Sequence, residues 1–143
     1  MDTLILLRHG KSAYPDGVED HDRPLASRGL RQAKLAGSWM RRQGLEPDLV
    51  LCSTSERTRQ TLAQTGVEAP AEYVKKLYGA SGAEILDVVR KKGGKASTVL
   101  VVAHDPGVAE AAVELDPTFT YTKFPTSAFA VVRDGDAELF IPR

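Results

Sequence analysis

The first candidate site follows directly on a short apolar run near the N-terminus. Leu4-Ile5-Leu6-Leu7 is followed by Arg8, His9 and Gly10. A guanidinium group forms a planar fork to an oxyanion, an imidazole can act as nucleophile or base, and a glycine lets the backbone turn away at once. On its own, however, this tripeptide is equally consistent with an ordinary polar end of a strand.

Two later apolar runs end in residues of the same chemistry. Leu49 to Cys52 is followed by Ser53 to Arg57, and Thr98 to Ala103 is followed by His104. Short, uninterrupted apolar runs are typical of parallel strands buried on both faces. Open α/β sheets bind their ligands beyond the carboxyl ends of such strands. If the three strands are neighbours, two arginines and two histidines converge at one edge of the sheet.

This set of side chains predicts a phosphate pocket. Arginine forks match phosphoryl oxygens, and their charge stabilises the transition state of phosphoryl transfer. A neutral imidazole can attack phosphorus and form a covalent phosphohistidine, which water then hydrolyses. We therefore expect His9 to be the nucleophile, Arg8 and Arg57 to clamp the phosphate, and His104 to donate to the phosphoryl oxygens.

The segments between these runs predict the elements that position them. Lys11 to Ala26 is rich in proline, glycine and acidic residues and should form a long surface loop. Ser27 is expected to cap an amphipathic helix that ends near Gly44. The other predictions are a helix capped by Ser55 or Thr54 and ending before Gly66, a short strand around Tyr73 and Val74, a helix from Ser81 to Gly93, a helix from about Pro106 to Leu115, and a hairpin of Ser127 to Val132 with Glu138 to Ile141.

The alternation of strands and helices predicts an α/β fold. The expected architecture is a three-layer sandwich, with a mostly parallel sheet, helices on both faces and a C-terminal antiparallel hairpin. A length of 143 residues fits a single domain over residues 1–143. No segment is available to form an inserted lid, apart from the loop that follows Gly10.

The amino-acid composition limits which classes of partner the protein binds and which cellular compartment it occupies. Nineteen basic residues balance nineteen acidic ones, which argues against a surface built for nucleic acid or an anionic membrane. The single cysteine, Cys52, excludes an intramolecular disulfide and a multi-cysteine zinc site. The N-terminus lacks a secretory signal and no apolar run is long enough to span a bilayer, so we expect a cytoplasmic protein. We expect no metal and no cofactor.

The three strand ends resemble those of a known enzyme family. Arg8-His9-Gly10, the run Ser53 to Thr61 around Arg57, and His104 after an apolar strand are similar in order and spacing to the histidine phosphatase superfamily, the phosphoglycerate mutase-like enzymes. Each motif alone is weak, but the set is specific and covers nearly the whole chain. The resemblance implies a phosphatase that works through a phosphohistidine enzyme intermediate, on a sheet flanked by helices.

Some of these residues look most like the SixA-type phosphohistidine phosphatases. They are Asp22-Arg23-Pro24-Leu25, Arg28-Gly29 and His104-Asp105-Pro106-Gly107. In that branch the arginine matching Arg23 lies near the phosphate, so the resemblance implies that Arg23 also binds substrate.

The sequence departs from the family at the position of a general acid. Phosphoglycerate mutase-like relatives carry a glutamate shortly after the mid-chain leucine, whereas Leu77 is followed here by Tyr78-Gly79-Ala80. Phosphate esters need such an acid because an alkoxide leaves poorly without a proton. Phosphohistidine needs it less, since its leaving group is an imidazole. Asp105 has two interpretations: the general acid of the acid phosphatase and phytase branch, or a cap for the helix that begins at Pro106.

The expected substrate is therefore a phosphohistidine on a partner protein, such as a phosphotransfer domain. Without an inserted lid, the pocket should stay open to a protein surface. Two alternatives remain: a phosphomonoesterase of small or peptide phosphate esters, and a non-catalytic phosphate- or phosphoprotein-binding module. The binding module would keep Arg8 and Arg57 but could dispense with His9.

Four other features have simpler explanations. Only four residues separate Cys52 from Arg57, against five in the loop of cysteine phosphatases, so we expect a buried thiol. His21 lies in a solvated acidic loop and not in a metal site. Thr126 and Ser127 are expected to begin a strand rather than to border the pocket. Lys11 has no predicted role.

Overall fold

The computed structural model describes residues 1–143 and has an α/β fold built on one six-stranded sheet. Its strands are β1 (Thr3–Arg8), β2 (Leu49–Ser53), β3 (Ala71–Val74), β4 (Thr98–Ala103), β5 (Phe129–Arg133) and β6 (Asp136–Phe140). The strand order is β3-β2-β4-β1-β5-β6. The first four strands are parallel, and β5 and β6 add antiparallel pairs. This is the mostly parallel sheet with a C-terminal hairpin that the sequence predicts.

Four α-helices and two short 3-10 helices connect the strands. The α-helices are α1 (Ser27–Arg42), α2 (Glu56–Thr65), α3 (Gly82–Lys92) and α4 (Gly107–Leu115). We call the 3-10 helices the acidic turn (Asp20–Asp22) and the lysine turn (Lys75–Leu77). No helix is both long enough and apolar enough to cross a membrane.

The core lies on both faces of the sheet, which explains the uninterrupted apolar runs. Along β1, Leu4 and Leu6 belong to a cluster of 22 buried residues that includes side chains of α3 and α4. Ile5 and Leu7 point to the other face, into a cluster of 12 with side chains of α1 and α2. A strand with apolar partners on both faces has no polar alternation.

Several helix boundaries match the predicted caps, and two do not. Ser55 caps α2 by accepting a hydrogen bond from the Thr58 amide, and Ser81 caps α3 in a reciprocal capping box with Glu84. The prediction that Ser27 caps α1 is wrong by one residue: Ala26 holds the cap position and contributes no side-chain bond. Asp105 does not cap α4, because Pro106 holds that position and no side chain bonds to the exposed amides.

The hairpin is tighter than predicted. Its turn consists of Asp134 and Gly135, whose φ angles are 50° and 78°, as a two-residue type I′ turn requires. The prediction that Thr126 and Ser127 begin the strand is wrong, because both lie in a turn and β5 begins at Phe129. Ser127 has a φ of 61°, a left-handed conformation that a strand cannot contain.

The loop from Lys11 to Ala26 folds back on itself beside the sheet. An isolated antiparallel bridge joins Ser12 to Leu25, and both residues are buried. The Ala26 amide donates to the Lys11 carbonyl at 2.9 Å. The loop is therefore fixed at its base while its tip, which contains the acidic turn, reaches the carboxyl ends of the strands.

Candidate active site

The sheet order brings the three predicted strand ends together. β1 pairs directly with β4, and β4 pairs with β2, so the residues that follow these strands share one edge. A cavity of about 200 Å³ lies there. Its lining contains all six candidate residues, Arg8, His9, Arg23, Arg57, His104 and Asp105, together with Lys11, Ser12, Tyr14 and Thr126.

His9 is a buried, neutral imidazole with one free nitrogen. The ring is held by a 2.7 Å hydrogen bond between Nδ1 and the Gly10 carbonyl. Because a carbonyl only accepts, Nδ1 carries the proton and Nε2 keeps its lone pair. Burial lowers the pKa of His9 to about 4 against the opposing effect of the Gly10 bond, and the charges of Arg57, Arg8 and Arg23 lower it further. The ring is therefore uncharged at neutral pH.

His104 lies against His9, with ring centroids 5.3 Å apart and an interplanar angle of 62°. Its Nε2 is 2.9 Å from the hydroxyl of the buried Ser53, at the end of β2. Burial lowers the pKa of His104 to about 3, and the neighbouring His9 and Arg57 act in the same direction. Two adjacent imidazoles, both uncharged at neutral pH, thus line one small cavity.

Arg8 and Arg57 each donate hydrogen bonds to the protein, and each also has an N–H group without a partner. Arg8 Nη1 donates to the Phe124 carbonyl at 2.7 Å. Arg57 donates from Nη1 and Nη2 to the backbone and side chain of Asp20, at 2.7 and 3.1 Å. The Nε of each arginine is buried without a hydrogen-bond partner. Unsatisfied buried N–H groups are uncommon in folded proteins, and a bound oxyanion could satisfy both.

Asp20 joins Arg57 to Arg23. One carboxylate oxygen accepts from Arg23 Nε and Nη2 at 3.1 and 2.9 Å. The other accepts from Arg57 and from the hydroxyl of Tyr78. The Tyr78 bond and the two arginines hold the pKa of Asp20 well below its usual range. This carboxylate is therefore ionised and fixes the direction of both guanidinium groups.

Asp105 lines the cavity, and its side chain makes no hydrogen bond within the protein. Partial burial raises the pKa of Asp105, and the charge of Arg8 opposes that effect. Since it does not cap α4, one of its two sequence-based interpretations is removed. The general-acid interpretation is compatible with its place in the lining and with the raised pKa.

Cys52 does not line this cavity. Its side chain is fully buried in the cluster under α1 and α2, and its thiol donates to the Ser53 carbonyl. Burial raises the pKa of Cys52 to about 12. A thiol that stays protonated at neutral pH is a poor nucleophile.

The backbone around His9 is fixed by α1 and α2. The Gly10 amide donates to Thr61 Oγ1 at 3.0 Å, and that hydroxyl donates to the Arg57 carbonyl one turn earlier in α2. Gly29 of α1 packs on the adjoining Lys11 backbone so closely that an added Cβ would lie 2.0 Å from the Lys11 carbonyl oxygen. The two helices therefore hold the peptide that follows the nucleophile candidate.

Several residues that form or support the pocket have no predicted role there. Asp20 lies in the loop that the sequence predicts to be solvated, and Tyr78 stands where relatives carry a glutamate. Ser53 is the last residue of β2 and bonds to His104. The cavity is also lined by Lys11, Ser12, Tyr14 and Thr126, the last of which the sequence predicts to begin a strand. One available signal was the position of Asp20 three residues before Arg23, a spacing that suits an ion pair.

Comparisons with known proteins find matches to this chain in sequence and in fold. The model of the histidine phosphatase superfamily (branch 1) matches residues 4–78. A protein of Mycobacterium tuberculosis is 48% identical over 136 residues, covering 89% of this chain and 86% of the relative. The phosphohistidine phosphatase SixA of Escherichia coli is 31% identical over 137 residues, covering 90% of this chain and 83% of the relative. A solved structure, the protein histidine phosphatase SixA complexed with tungstate, has a TM-score of 0.81 at 28% identity, and the match covers 96% of this chain and 94% of that chain.

Proposed function

This chain belongs to the histidine phosphatase superfamily, and we propose that it removes the phosphoryl group from a phosphohistidine on a partner protein, with His9 as the nucleophile. The family membership supports a histidine-dependent phosphatase of the SixA type. The phosphohistidine substrate and the role of each pocket residue belong to the proposal.

The first step transfers the phosphoryl group to the enzyme. The lone pair on His9 Nε2 attacks phosphorus, the P–N bond of the substrate breaks, and its electron pair returns to the leaving imidazole, which takes a proton from water. Arg8, Arg57 and His104 donate to the phosphoryl oxygens as the transferring group becomes planar. Arg23 adds positive charge at the mouth of the pocket.

The second step returns the enzyme to its starting state. Water attacks the phosphorylated His9, the bond between phosphorus and Nε2 breaks, and inorganic phosphate leaves. The hydrogen bond from Nδ1 to the Gly10 carbonyl persists throughout, so the ring needs no reorientation between steps.

One observation carries the proposal. A neutral imidazole with a free Nε2 lies in the same 200 Å³ cavity as two arginines, Arg8 and Arg57, whose buried Nε atoms have no partner. A pocket made only for binding would gain more from a charged donor at that position than from a neutral imidazole. The lowered pKa of His9 therefore favours nucleophilic attack over simple anion binding.

The test compares two substrates and two variants. Wild type should release phosphate from a histidine-phosphorylated phosphotransfer protein faster than from an aryl phosphate, and His9→Ala should release none from either. Cys52→Ser is the matched control, with largely unchanged activity because that thiol is buried away from the cavity. No release by wild type, combined with tight phosphate binding, would instead support the binding module.

A second candidate activity is the hydrolysis of phosphate esters. The observation that supports it is the position of Asp105. Its side chain is unpaired, lines the cavity and has a raised pKa, so it can deliver a proton to an alkoxide. If Asp105 is the acid, Asp105→Asn should lower turnover of an alkyl phosphate by roughly 100-fold while leaving phosphohistidine turnover within a few-fold. Unchanged alkyl phosphate turnover would remove Asp105 from the mechanism.

A further inference from the structure

A groove with a lysine-rich lining begins beside the pocket and runs between the lysine turn and α3. Two cavities of about 520 and 450 Å³ form it, and they share Lys76, Asp87 and Val88. Tyr78 lines the end nearest the pocket, where its ring centroid lies 5.5 Å from that of His104. A chain segment lying in this groove would therefore end next to the reacting phosphate.

The groove carries more positive than negative charge. Its lining contains four lysines, Lys75, Lys76, Lys91 and Lys92, and two carboxylates, Glu84 and Asp87. The carboxylates already have partners: Asp87 pairs with Lys91 at 3.0 Å, and Glu84 accepts from the Ser81 amide at 2.9 Å. Lys92 pairs with Glu72 at 3.2 Å.

Lys75 and Lys76 are left as exposed charges, with no carboxylate within ion-pair distance. They stand side by side on the lysine turn, on the wall of the groove opposite α3. Positive side chains that line a groove and have no ion pair within the molecule are suited to an acidic partner.

The excess of positive charge is confined to one part of the chain. The protein has no formal net charge, but residues 75–95 contain six basic and two acidic side chains. In contrast, residues 16–22 contain four acidic side chains and no basic one apart from His21. The acidic turn meets the groove at Tyr78, whose hydroxyl donates to Asp20. The surface around the pocket is thus electrically polarised, which would orient a partner as it approaches.

An aromatic residue lies at the far end of the groove. Tyr73 lines the second cavity and is 43% exposed. The guanidinium carbon of Arg59 lies 4.0 Å from the centroid of its ring. Tyrosine and arginine are enriched among the residues that dominate binding energy in protein interfaces. The groove therefore combines an aromatic anchor with free positive charge.

We propose that this groove docks an acidic segment of the partner protein, adjacent in that protein to the phosphorylated histidine. The inference rests on the proposed function, because it assigns the segment to the protein that delivers the phosphoryl group. A nucleic acid fits less well, because the protein has no formal net charge and the free positive charge of the groove is confined to Lys75 and Lys76.

Two synthetic peptides test the groove. Each carries one phosphohistidine, flanked on one side by three glutamates in the first peptide and by three glutamines in the second. Wild type should favour the glutamate peptide in kcat/KM by about tenfold. The double variant Lys75→Glu/Lys76→Glu should lose that preference but hydrolyse phosphoimidazole at the wild-type rate. The matched control is Arg31→Glu/Lys34→Glu, which reverses two exposed charges on α1 and should retain the preference.

The outcomes separate docking from hydrolysis. Equal rates for both peptides in wild type, or a preference that survives in Lys75→Glu/Lys76→Glu, would overturn the docking proposal. If wild type hydrolyses neither peptide nor phosphoimidazole, the proposed function fails. Docking is then decided by fluorescence anisotropy with the unphosphorylated glutamate peptide. Binding about tenfold weaker in the double variant supports the groove, whereas equal binding, or equally tight binding of a DNA strand of the same charge, overturns it.

Discussion

Asp20 is the residue whose removal tests how the arginines of the pocket are held. Its carboxylate accepts from both Arg23 and Arg57, and its backbone carbonyl also accepts from Arg57. Asp20→Asn removes the charge while keeping the size of the side chain. We expect kcat/KM for phosphohistidine to fall roughly tenfold, because misdirected guanidinium groups stabilise the transition state less well.

Asp16→Asn provides the control, since Asp16 lies in the same loop without a bond to either arginine. Because the Asp20 side chain is 55% exposed, we expect little change in thermal stability from Asp20→Asn. If activity were unchanged in Asp20→Asn, or fell equally in Asp16→Asn, Asp20 would have no positioning role. Asp20→Glu keeps the negative charge but moves it. Full activity in this variant would indicate a general effect of charge, whereas only partial activity would indicate that Asp20 positions the arginines.

The ionisation of His9 gives a second prediction at this scale. A buried imidazole with a pKa of about 4 is neutral at all pH values above that point, whereas an ordinary histidine would be half protonated near pH 6.5. We expect the His9 ring resonances, followed by NMR on protein labelled with ¹³C in its histidines, to titrate with a midpoint near 4. Assignment by comparison with His9→Ala identifies the signal, and a midpoint at or above 6.5 would show that the ring is hydrated and not poised for attack.

The sequence identifies individual chemical groups better than it identifies their supports. Arg8, His9, Arg57 and His104 all follow predicted strand ends, and they line one cavity. The role of Asp20 could not be predicted, because its bonds to Arg57 and Tyr78 cross 37 and 58 positions of the chain. Such pairings depend on how a loop folds over the sheet, and neither periodicity nor turn chemistry encodes that.

At the scale of elements, glycines in α1 set how closely that helix approaches the pocket. An added Cβ at Gly29 would lie 2.0 Å from the Lys11 carbonyl oxygen, and one at Gly37 would lie 2.0 Å from the Thr65 carbonyl oxygen. Each alanine substitution must therefore displace α1, at a cost of about 1–3 kcal/mol that outweighs the gain of about 1 kcal/mol in helix propensity.

The two substitutions should differ in their effect on activity. Gly29→Ala pushes on the backbone that follows His9, so we expect a loss of kcat at temperatures where the variant is still folded. Gly37→Ala contacts the end of α2 and should lower the midpoint of thermal unfolding with a smaller effect on kcat. Equal kcat losses at equal folded fractions would mean that α1 does not position the nucleophile.

Elements with strong local signals are predicted well. β4 has the predicted bounds, and α3 has its predicted cap and ends at the first of two glycines. The segment before β5 is not predicted well, because Ser127 adopts a positive φ that its residue type does not suggest. Its amide donates to the carbonyls of Arg8 and His9, so contact with the end of β1 holds Ser127 in place.

At the scale of the whole molecule, the two buried histidines link stability to pH. Their pKa values fall from 6.5 to about 4 in His9 and about 3 in His104, because burial disfavours the charged ring. The unfolded chain therefore binds more protons than the folded one as the pH falls below 6.5. The contribution of the two histidines to stability is complete above that value and declines by several kcal/mol in total as the pH falls through about 4 for His9 and about 3 for His104.

Thermal unfolding measured from pH 7 to pH 4 checks this linkage. We expect the midpoint to decrease steadily through the interval in wild type and to decrease less steeply in His104→Gln, which removes one of the two groups. A flat profile in wild type would contradict the assignment of both rings as buried and neutral. An unchanged slope in His104→Gln would show that His104 does not contribute to this linkage.

Trapping of the covalent intermediate would show whether His9 carries the phosphoryl group. Enzyme is mixed in excess with a radiolabelled phosphohistidine peptide, quenched in alkali within milliseconds, and mapped by proteolysis. We expect label on His9 alone, in a bond that is stable in alkali and labile in acid, and no label in His9→Ala. Label on Cys52, Ser53 or His104, or full turnover by His9→Ala, would contradict that expectation.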